Sequence, residues 1–291
     1  MLQELAKKQE EGLPAYFKGG TALYKALKTP NRFPEDIDLS VDTRDCSRTQ
    51  NDKRLAQATK KYKALPRNPG LGKTNRSEVI AVYTYEPVTS YDADDALQRF
   101  GKLKIEATSF TISEPVERLE ISSMLYDFAT EEQKNVLKTQ YEVAPFSIQT
   151  ISMERVFIDK LFAAEAYVRK SSDPHRAFEA AKHIYDLAVI AGQEKIICLF
   201  SDSEQMNFLL DIRVQEEKGR LDGIPGVVPS EFEFFTTAAD NADIRRAYGI
   251  MQNQYVLRDC DRIEYGEAMK SLADIQDSLE TNPAWYGYQI G

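Results

Sequence analysis

The sequence is poor in the residues that most often build disulfide frameworks and metal clusters. Its only cysteines, Cys46, Cys198 and Cys260, are odd in number, far apart and without C-x-x-C spacing. This pattern excludes a disulfide scaffold and a cysteine-based zinc site, and three reduced thiols fit the cytosol. His175 and His183 are the only histidines, which excludes a His-rich metal cluster and leaves little material for a Ser/His or Cys/His nucleophile. We therefore expect any chemistry to rest on carboxylates and lysines.

Long apolar runs are also missing. No stretch approaches the roughly 18–20 apolar residues that cross a bilayer. Residues 1–11 have the pattern of a polar helix and not of a signal peptide. We expect a cytoplasmic protein without membrane contacts. With 42% hydrophobic and 29% charged residues in 291 positions, the chain has enough apolar mass for a substantial core in one large domain or two ordinary ones.

The net charge conceals a strong local asymmetry. The chain carries 37 Lys and Arg against 46 Asp and Glu, a net charge of −9. Residues 44–76 alone carry ten basic and two acidic side chains, a sum of +8 in 33 residues. Such a run is either a solvated surface or an anion-binding arm, because charge asymmetry of this sign is typical of nucleic-acid contact. The residues beside the run decide between the two interpretations.

The distribution of apolar residues predicts an α+β first half and a helical second half. Short β-branched and aromatic runs alternate with helical patterns up to about residue 150, and long amphipathic patterns follow. The predicted helices of the second half are Met153–Lys170, Pro174–Ala191, 203–219, 230–250 and 260–280. In the basic run we predict a helix over Arg48–Tyr62 and then a loop from Pro66 to Arg76. We predict two domains, a mixed sheet with helices over residues 1–150 and a helical bundle over residues 151–291.

A pair of aspartates lies on a predicted strand. Asp36 and Asp38 are two positions apart, so both carboxylates leave the same face of that strand. Converging carboxylates repel unless a cation lies between them, and Mg²⁺ is commonly held by one or two carboxylates plus substrate phosphates. By itself the pair is weak support for a metal site, because Asp-x-Asp is frequent at surface strand ends.

A glycine turn precedes the aspartates. Gly19-Gly20-Thr21 lies between a short predicted strand and a predicted helix. Glycines allow close backbone approach, and the first N–H groups of a helix are available to an anion. Thr21 can cap the helix or bind a phosphate oxygen. A glycine turn followed by an Asp-x-Asp strand places a phosphate cradle beside a metal site, which is far more specific than either part.

A P-loop-like segment and the two histidines do not indicate a functional site. Gly70-Leu71-Gly72-Lys73-Thr74 ends like a P-loop, but position 67, where the P-loop requires its first glycine, is an arginine, so we reject that interpretation. His175 and His183 lie eight apart on one predicted helix without a third ligand, and we expect ordinary surface or capping histidines.

These residues resemble a known family. The segments that carry the resemblance are Lys18-Gly19-Gly20-Thr21-Ala22-Leu23, Arg32-Phe33-Pro34-Glu35-Asp36-Ile37-Asp38-Leu39, Asp159-Lys160-Leu161-Phe162-Ala163-Ala164 and Ile184-Tyr185-Asp186-Leu187. In this order they resemble the AbiEii/AbiGii (MenT-like) nucleotidyltransferase toxins, which belong to the polymerase-β-like nucleotidyltransferase superfamily. The sequence departs from the family pattern at Pro34, where a serine is frequent, and at Lys182-His183, where an Arg-Asp pair is common.

The resemblance implies a fold and roles for the residues of the first half. It implies a polymerase-β-like mixed sheet followed by a helical bundle. Asp36 and Asp38 would bind Mg²⁺, and Glu106 is the candidate third carboxylate, with an outward-facing strand glutamate near Lys104 as the equal alternative. The segment Lys18, Gly19, Gly20 and Thr21 would bind the nucleotide, with Gly20 and Thr21 at its β- and γ-phosphates.

Three further residues receive roles in the same way. Arg32 would contact phosphate or close the turn onto Asp36. Lys160 would reach the triphosphate, or else edge an apolar stripe or pair with a neighbouring acid. Asp186, in apolar surroundings, would pair with a cation or position the acceptor, because an unpaired buried carboxylate is costly.

The implied activity is transfer of a nucleoside monophosphate from an NTP to an acceptor, with release of pyrophosphate and dependence on Mg²⁺. The resemblance implies a toxin of a toxin–antitoxin or phage-defence system, a cognate antitoxin, and the 3′ end of tRNA as the acceptor. Because segment 44–76 carries a charge of +8 beside the motifs, we expect it to contact this RNA. Two alternatives stay open: a nucleotidyltransferase that modifies a protein or a small molecule, and a non-catalytic module whose acidic helical half binds a partner.

Overall fold

The computed structural model describes residues 1–29, 31–33, 36–88, 101–219 and 227–289. Contacts divide the chain into two compact units. The first, here the sheet unit, comprises Met1–Pro30 and Pro34–Ile151. The second, the helical unit, comprises Asn31–Phe33 and Ser152–Gly291. Three residues that precede the Asp-x-Asp strand therefore belong to the helical unit.

The sheet unit contains a mixed sheet. Its elements in chain order are α1 (Leu2–Glu10), β1 (Ala15–Lys18), α2 (Gly19–Leu27), β2 (Asp36–Val41), α3 (Arg48–Thr59), β3 (Arg67–Thr74), β4 (Glu78–Thr84), β5 (Lys102–Thr108), β6 (Val116–Ile121), α4 (Met124–Asp127), α5 (Glu131–Gln140) and β7 (Phe146–Ile151). Among the described residues the strand order is β3-β4-β5-β2-β1-β7-β6. Strand β2 pairs antiparallel with β1 and parallel with β5. The predicted α+β class is confirmed.

Strand alternation gives the sheet one apolar and one polar face at its centre. Phe17, Leu39 and Ile105 point to one face and are fully buried. Helices α1, α2 and α3 add residues such as Leu5 and Leu55 to the same core cluster. Neighbouring residues of a strand point to opposite faces, so the aspartates on β2 lie on the face opposite this core. Burial of the apolar face fixes the register, because a shift by one residue would turn the carboxylates into the core.

The predicted loop from Pro66 to Arg76 is wrong. Residues Arg67–Thr74 form strand β3 at the edge of the sheet, paired with β4 and interrupted by an irregularity between Asn68 and Lys73. Position 72 favours glycine, because the Cβ of any other residue would lie 2.9 Å from the backbone oxygen of Ile80. The Pro and Gly content suggests a loop, but pairing with a neighbouring strand overrides it, and breakers are tolerated at edges and bulges.

Helix α3 also ends earlier than predicted. It stops at Thr59, after which Lys60 is extended and Lys61 has a φ of 61°. Lys8 closes the end of the helix, since its Nζ donates to the carbonyl oxygens of Gln57 and Lys60 at 3.0 and 2.6 Å. A cation at this position satisfies carbonyls that have no partner within the helix.

The helical unit contains the remaining helices. They are α6 (Met153–Val168), α7 (Pro174–Ile190), α8 (Glu194–Ser201), α9 (Ser203–Gly219), α10 (Phe234–Asp240), α11 (Ala242–Tyr255), α12 (Tyr265–Glu280) and α13 (Pro283–Tyr286). The single helix predicted over 230–250 is wrong, because the chain breaks at Asn241. The Asn241 side chain accepts hydrogen bonds from the backbone N–H groups of Asp243 and Ile244 at 3.1 Å and so caps α11.

Buried charged side chains of α6 connect this helix to α9 and α10. Arg155 on α6 pairs with Glu216 on α9 at 2.6 Å, and both side chains are almost fully buried. Glu165 on α6 accepts hydrogen bonds from the backbone N–H groups of Glu233 and Phe234 at 3.0 and 2.9 Å and thereby caps α10. Across the described ranges, the structure contains no helix that is both long enough and apolar enough to span a membrane.

Candidate active site

Three carboxylates lie side by side on the polar face of the sheet unit. Asp36 and Asp38 leave β2 on that face, and Glu106 on β5 stands opposite Asp38 in the parallel pair. On the other side of β2, Lys18 on β1 stands opposite Asp38. The register therefore places Glu106 with the two aspartates, whereas the sequence left its orientation open.

The electrostatics of Glu106 reflect this crowding. Burial, reinforced by the negative charges of Asp38 and Asp36, raises the pKa of Glu106 to about 7. Lys104 opposes the increase, and its Nζ lies 3.5 Å from Oδ2 of Asp36. A raised carboxyl pKa means that a further negative charge is unfavourable here, and that a bound cation would relieve the repulsion. The Lys104–Asp36 pair could not be predicted from the sequence, because the pairing of β2 with β5 creates it.

Gly19 brings the helix start against Asp38. Its φ is +76°, a left-handed conformation that other residues rarely adopt, and a Cβ would lie 2.9 Å from Cγ and 3.1 Å from Cβ of Asp38. Only glycine therefore lets the carboxylate pack against this turn. Two separate constraints therefore disfavour any other residue at position 19: the positive φ and the lack of space for a Cβ.

Thr21 does not cap α2. The cap position is Lys18, without a side-chain hydrogen bond to the helix start, and the hydroxyl of Thr21 donates to the backbone oxygen of Asp36. Thr21 thus ties the first turn of α2 to the first residue of β2. The N–H groups at this helix start donate no hydrogen bond to the side chain at the cap position, and N–H groups at such a position are suited to an anion.

Lys18 is held by hydroxyl groups on the same face. Its Nζ donates to Oγ1 of Thr108 at 3.3 Å and of Thr111 at 3.5 Å. The hydroxyl of Ser40 lies 2.7 Å from those of Thr111 and Ser113. This cluster fixes the ammonium group near the carboxylates. Sequence reasoning missed it, because hydroxyl side chains in β-rich segments are common and give no specific signal.

The other predicted residues form a buried cluster in the helical unit. Asp186 on α7 is fully buried and accepts hydrogen bonds from Nε and a terminal nitrogen of Arg32 at 2.6 and 2.8 Å. Lys160 on α6 donates to the same carboxylate at 2.5 Å. Burial disfavours the ionised form of Asp186, but the charges of Arg32 and Lys160 outweigh burial and hold its pKa well below the usual range. Asp186 is therefore an ionised counter-charge for two cations.

His183 is packed beside this cluster. Its ring stacks on Tyr167 with centroids 5.4 Å apart. Its Nδ1 is buried without a hydrogen-bond partner among the described residues. Burial and the charge of Lys160 push the pKa of His183 well below its usual value, so the ring is neutral at physiological pH. The expectation of a surface or capping histidine is wrong here, whereas His175 is exposed.

The structure therefore collects the predicted residues in two groups. In the sheet unit it brings together Lys18, Gly19, Gly20, Thr21, Asp36, Asp38 and Glu106. In the helical unit it brings together Arg32, Lys160 and Asp186. Within the described ranges, no three His, Cys, Asp or Glu side chains are positioned to hold a metal ion as they stand.

A glycine turn at a helix start beside a row of strand carboxylates is the arrangement of a nucleotidyltransferase, and the comparisons agree. The model of the family described as "Nucleotidyl transferase AbiEii toxin, Type IV TA system" matches residues 1–264. This chain belongs to that family and is a nucleotidyltransferase toxin of a type IV toxin–antitoxin system. The family suggested by the motifs is confirmed, and the non-catalytic alternative is set aside.

The chain was also compared with solved structures and with curated proteins. MenT4, a nucleotidyltransferase toxin from Mycobacterium tuberculosis H37Rv, is similar over 94% of this chain and 88% of its own, with 11% identity and a TM-score of 0.36. A search of curated proteins finds no match.

Proposed function

We propose that this enzyme transfers a nucleoside monophosphate from an NTP to the 3′ end of a tRNA, with Mg²⁺ held by Asp36, Asp38 and Glu106. The observation that carries the proposal is the register of β2 and β5, which sets Glu106 beside Asp38 on the face where Asp36 also lies. The glycine turn ends against the same carboxylate.

The chemistry of the donor set fits Mg²⁺. The three side chains offer only oxygen ligands, which this ion prefers, and it commonly takes one or two carboxylates together with substrate phosphates. The raised pKa of Glu106, caused by burial and by Asp38 and Asp36, supports a site that becomes favourable once a cation is present. When bound, the ion supplies charge neutralisation at the reacting phosphate.

The residues of the sheet unit bind and orient the triphosphate in this proposal. Gly19 and Gly20 allow the backbone to approach it, and the N–H groups at the start of α2 bind the β- and γ-phosphates. Thr21 holds the turn to β2, and Lys18 adds a positive charge. The acceptor hydroxyl then attacks the α-phosphorus. A new P–O bond forms, the bond to the β-phosphate oxygen breaks, pyrophosphate leaves and the hydroxyl proton passes to solvent.

The buried cluster of the helical unit has a positioning role in the proposal. Asp186 orients Arg32 and Lys160, because its carboxylate accepts hydrogen bonds from both. Lys160 acts as a phosphate-neutralising cation, for which a compact ammonium group is suited. We assign the metal ligands and the glycine turn to residues 1–150, and Lys160 with Asp186 to the first helices of residues 151–291, which complete the active site in this proposal.

The family implies an antitoxin partner and an NTP substrate. To these we add three proposals: action in the cytoplasm, a role in phage defence, and contact of the acceptor RNA with segment 44–76. The +8 charge of that segment supports the RNA contact, because phosphate neutralisation dominates nucleic-acid affinity.

Incubation of the purified protein with labelled NTPs, Mg²⁺ and total RNA tests the proposal. The parent protein should label RNA, and Asp38→Asn should lose at least about a hundredfold in rate, in line with the loss of an electrostatic group at a reacting centre. Glu120→Gln is the matched control, because it neutralises an exposed carboxylate on β6 of the same sheet, and it should label RNA normally.

Three results would contradict the proposal. Labelling of RNA by Asp38→Asn at the parent rate would remove the aspartate from the mechanism. Labelled protein or labelled small molecules without labelled RNA would move the acceptor to the alternative class. Undiminished labelling after removal of divalent cations by a chelator would exclude the metal.

A further inference from the structure

The basic segment forms two grooves along α3. The first has a volume of about 550 Å³ and lies between α3 and the hairpin of β3 and β4; its charged lining residues are Arg48, Asp52, Lys60 and Arg76. The second, of about 310 Å³, lies between α3 and the residues that follow α1; its charged lining residues are Lys8, Glu11, Arg54, Lys60 and Lys61. We call them the back grooves. In each, basic side chains outnumber acidic ones.

The back grooves lie on the other side of the sheet from the carboxylates. Helix α3 packs through Leu55 against the face that carries Leu39 and Ile105. Asp38 directly precedes Leu39, and Glu106 directly follows Ile105, so both point away from that face. The basic residues of α3 are therefore close to the catalytic motifs in sequence but behind them in space.

The distance involved is larger than one nucleotide. Strand β5 is separated from the edge strand β3 by β4, so the edge lies about 10 Å from the carboxylates at roughly 5 Å per strand. A helix with its side chains is about 10–12 Å thick, so the outer side of α3 lies at least about 10 Å behind the sheet. A path from Asp38 around the edge strand to the outer side of α3 is thus roughly 20 Å long. Arg76, at the turn of the hairpin, lies closer, four residues before Ile80, which pairs with Glu106. Arg67 and Lys73 on β3 place positive charges along this path.

We propose that the back grooves bind the phosphate backbone of a folded RNA acceptor, at a point remote from the end that is modified. This inference rests on the proposed function. At the rise of about 3.4 Å per base pair of B-form DNA, roughly 20 Å corresponds to about six base-pair steps, and the shorter rise of an A-form RNA duplex makes six a minimum. An acceptor that reaches both faces is therefore a structured RNA and not a free nucleotide or a short oligonucleotide. Charge complementarity selects the occupant, because regularly spaced phosphates match a run of cations with few intervening carboxylates.

The test compares two acceptors and two triple variants. The acceptors are an intact tRNA and an oligonucleotide of about four nucleotides with the same 3′ sequence, shorter than the path estimated above. The groove variant is Arg48→Gln, Lys60→Gln and Arg76→Gln. The control variant, Lys138→Gln, Lys170→Gln and Lys270→Gln, removes three exposed lysines outside the grooves. Both triples change the net charge from −9 to −12, and thermal melts check that both remain folded.

The groove variant should raise the KM for intact tRNA about tenfold or more, with an unchanged kcat. The slope of log affinity against log salt concentration should fall by about 2 to 3, because three phosphate contacts are lost at roughly 0.7–0.9 each. Use of the oligonucleotide should change by less than about twofold, since it does not reach the grooves. The control variant should behave like the parent with both acceptors.

An equal loss with both acceptors, or no loss with either, overturns the inference. So does a groove variant that binds tRNA normally but loses self-association in sedimentation, because the grooves would then bind the acidic surface of a second copy. Binding of labelled tRNA to the Asp38→Asn protein, with and without the groove substitutions, separates the inference from the proposed function. Groove-dependent binding without any labelled acceptor contradicts the function alone, and groove-independent binding contradicts the inference alone.

Discussion

Replacing Asp186 with asparagine should strongly destabilise the helical unit. The side chain is fully buried and serves as counter-charge to Arg32 and Lys160, with hydrogen bonds of 2.5–2.8 Å. Asparagine has nearly the same shape but carries no charge, and its amide group turns two donors toward cationic donors. Two buried cations then lose the carboxylate that they share.

The magnitude follows from the cost of an uncompensated buried charge. Removal of one partner from a buried ion pair costs about 3–5 kcal/mol. With a urea m-value of about 2 kcal/mol per molar, within the usual range of about 1–3, the unfolding midpoint should fall by about 1.5–2.5 M. Lys160→Met should cost less, because the Arg32–Asp186 pair then remains as a neutral unit. The order of the two effects tests the charge argument more directly than either value.

The chain supplies its own reporter for this measurement. Trp285 is the only tryptophan, lies in the helical unit, is buried and packs edge-on against Phe232 with ring centroids 5.6 Å apart. Urea unfolding followed by tryptophan fluorescence therefore reports on the unit that contains Asp186. Asp259→Asn is the control, because its pair with Arg262 is exposed and such pairs contribute roughly 0–1 kcal/mol.

The pH dependence gives a second check. The folded-state pKa of Asp186 lies well below its usual range, so the stabilisation is complete above the unfolded value of about 4 and is lost only as pH falls through the folded value. The difference between parent and Asp186→Asn should therefore be constant from about pH 5 to 8. A difference below about 1 kcal/mol, or a larger cost for Lys160→Met than for Asp186→Asn, would refute the reasoning.

Three further predictions concern the sheet unit. Gly19→Ala should abolish nucleotidyl transfer. Gly12 also has a positive φ, but no atom lies within 4 Å of an added Cβ, so Gly12→Ala should cost only about 1 kcal/mol in stability. Equal activities of the two variants would contradict the steric argument. Glu106→Gln should stabilise the metal-free protein at pH 8 by roughly 1–3 kcal/mol, because a folded-state pKa of about 7 means that folding disfavours the ionised form. In thermal melts this stabilisation should vanish near pH 5. A stabilisation that does not depend on pH would contradict the prediction. Thr21→Val should destabilise the protein by about 1–2 kcal/mol through loss of the hydrogen bond to the backbone oxygen of Asp36, whereas Thr21→Ser should keep this bond. Equal melting temperatures of the two variants would exclude a structural role for the hydroxyl.

Local features of the candidate site could be predicted from the sequence because they depend on short-range geometry. Asp36 and Asp38 share a face through the period of two along a strand, and Gly19 stands where a strand turns directly into a helix. Helix α6 starts at Met153 as predicted because its apolar periodicity begins there and Ser152 caps it. The family itself was recognisable from four short segments in order.

Loop-like composition predicts the wrong structure where backbone pairing decides the outcome. Residues Arg67–Thr74 contain Pro69, Gly70 and Gly72, yet they form an edge strand because β4 offers unpaired backbone groups. Asn241 likewise breaks a continuous helical pattern by capping the next helix. Neither result is readable from periodicity, since both depend on which backbone groups find partners.

The sequence by itself determined the chemistry that is present: carboxylates in pairs, a glycine turn, an acid in an apolar helix, an arginine and a lysine in family order, and a concentrated basic segment. Only the tertiary structure decided how these meet. Asp186 finds its cations 26 and 154 positions away, and Glu106 joins Asp38 through the parallel pairing of β2 and β5. Helix α3 carries its basic residues behind the sheet because it must bury Leu55 on the apolar face. Contacts over such separations are set by burial and strand register across the whole unit, which no local pattern specifies.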